Sequence, residues 1–567
     1  MHDVPEPELS SGPLEPSVTV TIGWASAAGC AWAVLGEVLP ASVHTTIAAD
    51  LVSSATLWTL GVLGGTAAGA VGGLLVVVAG ERKRARALWV GFCSAAVLGT
   101  ALAATVRVEP YEQLASPWWC VALAAAGLIG LADQLSARAR VVALVPAFAW
   151  VGIAMGAGTS SAPVAGAPPP GAPSVLLITV DGLRYDRMNG PSGDAPHLRE
   201  LARGGVVWTQ ARSPSPEVAA AAASALFGVQ PDEVALGEER GRVPEARGLA
   251  EQLRASGWRT GGFVSSRLLH RDRGFGQGFR TYDDDLRWLR GLANTSLGRL
   301  IAALRPPPVE RRADVTTAFA QRWILAAHEP WFAWVHLHDP SDVYEPPPPY
   351  DYRYYDPGSA GAGARDLPAG IPDAQRRAIA GQEDVELVRA RYRGEVALVD
   401  DAIGDLIDAL RQAGRLENTI VVLAGTYGES LGDDEVWFRH DTLTEATLRV
   451  PLVVVAPGRL APGRRTLPTS LAGLTPAVVD LALGRGALRG VFHDEPQVVR
   501  SVLRAEGDRP AQVMLRGQRV AYRLTDGAPP SAEAWTVSDA GLTPLELDAA
   551  RSALLRADAE AVLVRLR

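Results

Sequence analysis

A chain of 567 residues exceeds what one hydrophobic core usually supports, so two or more structural units are expected. Its formal charge of −8 excludes the basic excess that grips phosphate backbones, and nucleic acid is not an expected partner. The three cysteines, Cys30, Cys93 and Cys120, all fall in an apolar N-terminal third, which rules out a disulfide framework or a cysteine-based zinc site in the remainder.

Residues 1–157 carry about five apolar runs near membrane-spanning length, at roughly 18–36, 55–80, 87–106, 117–132 and 140–157. They predict an α-helical transmembrane bundle. The acidic N-terminus and the further spans that follow fit a cleaved signal peptide poorly. The basic loops, Glu81–Arg86 and the segment around Arg138 and Arg140, are expected in the cytoplasm, which places everything after residue 158 outside it. A bacterial inner membrane with the C-terminal part in the periplasm or outside is the expected setting. Gly61, Gly65, Gly69 and Gly73 recur every fourth residue and give one smooth face for helix–helix contact. Glu37 and Asp133 sit near span ends rather than at mid-depth, so a transport path is not expected.

Residues 158–173, rich in Pro, Gly and Ala, read as a tether. The run Ser174–Asp181 then reads as a buried, parallel-type strand ending in a carboxylate, the kind of strand end that builds sites in open α/β sheets. Helices are predicted at 196–203, 247–255, 314–327 and 384–412, and strands at 259–264, 331–337, 419–424 and 450–455. This alternation predicts a doubly wound, mostly parallel sheet over 174–495. Residues 345–382 read as an irregular insertion, and 496–567 as a small C-terminal subdomain with a hairpin near 511–524.

Six segments carry a family resemblance. VDGLRYD (180–186), APHLRELARGGVVWTQARSPSP (195–216), FVSSRLLHRDRGFGQGFRTYDDD (263–285), FAWVHLHDPSDVYEPPPPY (332–350), YRGEVALVDDAIGDLIDALRQAG (392–414) and LRVPLVVVAPG (448–458) resemble, in order, motifs of the sulfatase family within the alkaline phosphatase superfamily. The resemblance implies that fold, and chemistry on sulfate or phosphate esters with a divalent cation and a nucleophile. It also implies where those groups belong, and there the sequence departs from the pattern. Asp181 keeps one metal position, but Gly182 replaces the second. Val218 stands at the nucleophile position, followed by an alanine run. Thr426 and Tyr427 replace the Asp and His of the Asp-His-Gly-Glu motif, and Ser341 replaces the His of Asp-Pro-His-Asp. The scaffold residues Gly428, Glu429 and Arg449-Val450-Pro451 are kept.

The expectation is therefore a membrane-anchored pseudoenzyme with no cofactor, binding an anionic glycan, lipid headgroup or protein partner outside the cytoplasm. The alternative is an active ester hydrolase or headgroup transferase with a rearranged site, in which Asp181, Asp339, Asp342 and His440 hold Ca, Mg or Zn. A third reading is a purely structural membrane subunit assembled through the glycine face. Other polar candidates have bland readings: His336 as a packing residue, Asp400 and Asp401 in surface or capping roles, and the Arg-rich stretches 240–247 and 305–312 as solvated faces. The Asp283–Asp285 run lacks further ligands at calcium spacing.

Overall fold

The computed structural model describes residues 166–286 and 310–566, except 190–193, 235, 238–239, 244–246, 329, 357–370, 372, 374–375, 377–383, 486–487, 508 and 539–540. The five apolar runs and the glycine face lie outside the described residues. Among the described residues, no helix is long and apolar enough to cross a membrane.

The strand-forming power of the central strands lies in buried runs of β-branched and aromatic residues, while the edge strand Gly463–Arg465 is polar and exposed. Together they build an eight-stranded sheet: β1 (Ser174–Val180), β2 (Val206–Trp208), β3 (Arg259–Val264), β4 (Thr281–Asp283), β5 (Trp331–Leu337), β6 (Thr419–Gly425), β7 (Leu452–Val455) and β8 (Gly463–Arg465). The order is β8-β2-β7-β6-β1-β5-β3-β4. β1 pairs in parallel with β5 and β6, while β7 runs antiparallel to both β6 and β2. The sheet is mostly parallel, as expected, and is mixed because β7 alone is reversed. The apolar run of β7 carries no signal of direction, because a strand buried on both faces reads alike either way.

Helices cover both faces. Val175, Leu177, Phe332, Trp334, Ile420 and Val422 point to one apolar cluster, together with α2 (Val218–Phe227), α3 (Leu249–Ala255) and α6 (Leu474–Ala482). Leu176, Ile178, Ala333, Val335, Val421 and Leu423 point to the other, with α1 (Pro196–Arg203), α4 (Ala313–Ala326) and α5 (Val385–Gln412). The period-two alternation of the central strands is what divides the core into these two layers.

Local chemistry sets the helix ends. α1 begins at Pro196, and the Asp400 carboxylate accepts from the backbone N–H groups of His197 (3.0 Å) and Leu198 (2.8 Å), which places Asp400 in a capping role. α5 starts at Asp384, whose side chain accepts from the Glu386 N–H. α2 ends at Gly228 in the left-handed region (φ 69°), where the Gly228 N–H closes on Ser224 O.

The last residues of the expected tether are pinned to the domain: the Gly166 N–H donates to Ala255 O, and the Trp258 indole donates to Pro173 O. The C-terminal part contains the expected hairpin, Gln512–Arg516 with Val520–Thr525, within a larger sheet. It is a five-stranded antiparallel sheet, β9 (Val499–Leu503), β10 (Gln512–Arg516), β11 (Val520–Thr525), β12 (Ser531–Ser538) and β13 (Gly541–Pro544), backed by α7 (Ala549–Leu566). Val513, Leu515, Tyr522 and Leu524 pack on Ala559, Val562, Leu563 and Leu566 of α7.

Candidate functional site

The centre of the sheet brings three chain segments together. In register, Val180 of β1 lies beside Leu337 of β5 and Gly425 of β6, the last residues of those strands. The next residue of each chain, Asp181, His338 and Thr426, therefore emerges at the same carboxyl edge, where open α/β sheets place their sites. Backbone bonds fix this edge: the Asp181 N–H donates to Leu337 O at 2.9 Å and the Thr426 N–H to Val180 O at 2.8 Å.

Asp181 is fully buried, and side chains of this chain occupy both its oxygens. The Thr426 hydroxyl donates to Oδ1, while His336 Nε2 (3.1 Å) and His338 Nδ1 (3.2 Å) meet Oδ2. Proton order can be followed back from a donor with no choice. The Trp334 indole N–H donates to Thr179 Oγ1 (2.9 Å), leaving that hydroxyl to donate to His336 Nδ1 (3.0 Å), so that Nε2 carries the proton given to Asp181. His336, expected to be a packing residue, thus orients the carboxylate. His338 is clamped on its other side by Glu310, Nε2 to Oε2 2.9 Å.

Burial alone would raise the Asp181 carboxyl, but the His336 and His338 imidazoles outweigh it and hold the group far below the usual carboxylate range. Burial alone would lower His338; hydrogen bonds to Asp181 and Glu310 outweigh it and push the imidazole well above its usual value. A protonated imidazole between two carboxylates supplies locally the positive charge that a cation would otherwise bring. Burial, reinforced by Glu310, pushes neighbouring Asp339 up to about 6, while its Oδ2 accepts from the Ala313 N–H at the start of α4 (2.6 Å).

These residues do not fit a divalent cation at Asp181. Such ions need several anionic or imidazole ligands converging on one point, and here both carboxylate oxygens are already taken up by side-chain hydrogen bonds. The family's second carboxylate has no room either. Gly182 has φ 65°, and a Cβ there would lie 2.0 Å from Pro340 O. Asp181 serves as an acceptor whose donors are side chains.

Position 218, where the resemblance places the nucleophile, is equally closed. Val218 is the first residue of α2 and 1% exposed, and all ten residues of this helix are buried. Nearby hydroxyls are engaged with backbone: Ser213 Oγ donates to Ser215 O, Ser215 Oγ accepts from the Glu217 N–H, and Ser224 Oγ donates back to Ala220 O.

A second polar group lies beyond β6. The Tyr427 hydroxyl pairs with Ser341 Oγ (2.9 Å), so two of the positions that the resemblance marks as departures satisfy each other. The Tyr427 ring stands against His440 at 4.4 Å between centroids. His440 Nδ1 meets Oε1 of fully buried Glu429 at 3.0 Å. Ligand atoms of Asp342, Glu429 and His440 all lie within 4.8 Å of one another. The four residues expected to hold a metal in a rearranged site therefore separate. Asp342 and His440 converge with Glu429, Asp181 is enclosed by histidines, and Asp339 caps α4. Sequence reasoning took Glu429 for scaffold and gave His338 no role. The His-x-His spacing at 336–338 was the available signal, since alternate residues at a strand end face one side.

One other expectation changes. Arg311, placed on a solvated face, is 7% exposed and binds Thr316 Oγ1, Asp283 and Val264 O. Asp284 is clamped by Arg271 at 2.7 Å, so the acidic run serves arginines.

Three comparisons place this frame among known proteins. The sulfatase family profile matches residues 173–484. The choline-sulfatase of Rhizobium meliloti is 26% identical over 361 residues, 55% of this chain and 68% of that one. The arylsulfatase of Clostridium perfringens is 32% identical over 89 residues, 16% of this chain and 18% of that one, so the full activity of that relative is not carried by the match. The phosphonate monoester hydrolase of Silicibacter pomeroyi has the same fold, with TM-score 0.51 and 21% identity over 70% of this chain and 96% of its own. The chain belongs to the sulfatase family.

Proposed function

We propose that this protein is a catalytically inactive sulfatase-family member that binds rather than hydrolyses, held at a membrane by its N-terminal third with the folded domain outside the cytoplasm. The observation that carries the reading is the saturation of Asp181 by Thr426, His336 and His338. The closed position of Val218 and the Ser341–Tyr427 pair support it. The test is turnover of aryl sulfates, phosphate esters and phosphonate monoesters by the full chain. Hydrolysis that disappears in Asp181→Asn would defeat it.

Binding of an anionic ligand is supported at a different place. At the β8 edge, a cleft of about 450 Å³ is lined by Arg464, Arg465 and His493 above the apolar Trp208 and Phe492. Arg465 lies over the Phe492 ring at 5.3 Å and is shared with Asp494, whereas Arg464 is exposed. Sulfated oligosaccharides titrated against the full chain test this part: a dissociation constant weakened about tenfold or more in Arg464→Glu is expected, and unchanged binding would exclude the cleft. Protease protection of the domain in sealed vesicles of known orientation tests the topology.

A further inference from the structure

We propose that Asp342, Glu429 and His440 form a divalent transition-metal site, of the Zn²⁺ class, separate from the Asp181 position where the family resemblance places the metal. Three observations carry it. The first is ligand chemistry: two carboxylates and one imidazole neutralise a divalent ion, and an imidazole ligand favours Zn²⁺ over Ca²⁺ or Mg²⁺. The second is geometry. Bonds of about 2.0–2.2 Å in a tetrahedral shell put neighbouring ligand atoms roughly 3.3 Å apart. His440 Nδ1 and Glu429 Oε1 are 3.0 Å apart, and the whole set lies within 4.8 Å, so small side-chain rotations would bring three ligands onto one ion, with the fourth position left to solvent.

The third observation is the cost that Glu429 bears. Its side chain is fully buried. Oε2 makes no close hydrogen bond; burial raises the group, and although the His440 imidazole and the Tyr344 phenol ease its charge, the Asp342 carboxylate repels it and the balance stays raised. A buried carboxylate held beside a second one is costly without a cation between them. A bound ion would relieve both groups.

The segments joined are far apart in sequence. Asp342 lies in the loop after β5, Glu429 follows β6, and His440 follows the short strand Trp437–Arg439. An ion there would tie the 339–345 loop to the 430–439 segment. The other cluster with similar spacing, His197, Asp400 and Asp401, is a weaker candidate because Asp400 is already committed to capping α1.

This inference rests on the reading that the Asp181 position holds no metal, and its test separates the two. The full chain, solubilised in detergent and stripped with a chelator, is titrated with Zn²⁺ against a chromophoric competitor, with metal content measured after dialysis. The expected result is one Zn²⁺ per chain with micromolar or tighter affinity, weakened at least tenfold in both His440→Ala and Asp342→Asn and unchanged in Asp181→Asn. Circular dichroism and the melting temperature of the stripped variants show whether they fold; if His440→Ala does not, Asp342→Asn carries the comparison. No stoichiometric Zn²⁺, or equal affinity in the folded variants, overturns the site. Zn²⁺ lost in Asp181→Asn instead would defeat the saturated-Asp181 reading and leave this cluster without its ion.

Discussion

Asp181→Asn separates a paired carboxylate from a metal ligand. The amide keeps the shape but removes the charge that faces His336, His338 and Thr426. Breaking a buried ion pair by deleting one partner costs about 3–5 kcal/mol. His338 keeps the partly exposed Glu310, so the lower end, about 3 kcal/mol, is expected here. The pH dependence follows from the two opposite shifts. Asp181 is depressed in the folded protein, so its contribution is present above about pH 3.9 and is lost as the pH falls towards its folded value. His338 is raised, so its contribution is complete below about pH 6.5 and is lost as the pH rises through its folded value. The difference between wild type and variant should therefore be greatest between about pH 4 and 6.5 and shrink on either side. Urea denaturation of the full chain, followed by tryptophan fluorescence across that range, measures it. A loss under about 1 kcal/mol, or one that does not vary with pH, would refute the pairing.

Further substitutions test neighbouring parts. Gly182→Asp, which would recreate the family's second carboxylate, should destabilise the domain by about 1–3 kcal/mol from its positive φ alone, with the Pro340 clash in addition, and should restore no metal. A melting temperature equal to wild type would show that this turn has more room than described. Asp400→Ala removes the cap of α1 and should cost about 1 kcal/mol in chemical denaturation. Tyr427→Phe, which leaves Ser341 without its 2.9 Å partner, should cost on the order of 1 kcal/mol, and a neutral result would assign Ser341 to Glu429 instead.

What the sequence disclosed follows from where its signals are local. The strands at 259–264 and 331–337 and the helix at 196–203 match expectation because each is a single apolar or amphipathic run with clear ends. The direction of β7 was not legible, because pairing partners are a tertiary property. α7 was missed although Ala559, Val562, Leu563 and Leu566 have helical spacing, since charged residues interrupt the rest of its pattern. At the site, the resemblance marked Gly182, Val218, Ser341, Thr426 and Tyr427 as departures from the family pattern. The contacts made there could not be read from motifs, because they depend on register: Thr179 lies beside His336, and Val180 beside both Leu337 and Gly425. Those pairings turn an apparently structural histidine and an overlooked one into the partners of Asp181. Glu429 looked like conserved frame from its motif, and only the fold brings Asp342 and His440 to it.

The central claim, a sulfatase frame without sulfatase chemistry, is tested most directly by assaying the purified full chain and its Asp181→Asn variant side by side on aryl sulfate and phosphate esters in the presence of Ca²⁺, Mg²⁺ or Zn²⁺. The account predicts no turnover above background in either protein with any of the three ions. Turnover in the wild type that is abolished in the variant, together with one metal ion per chain lost on the same substitution, would contradict it.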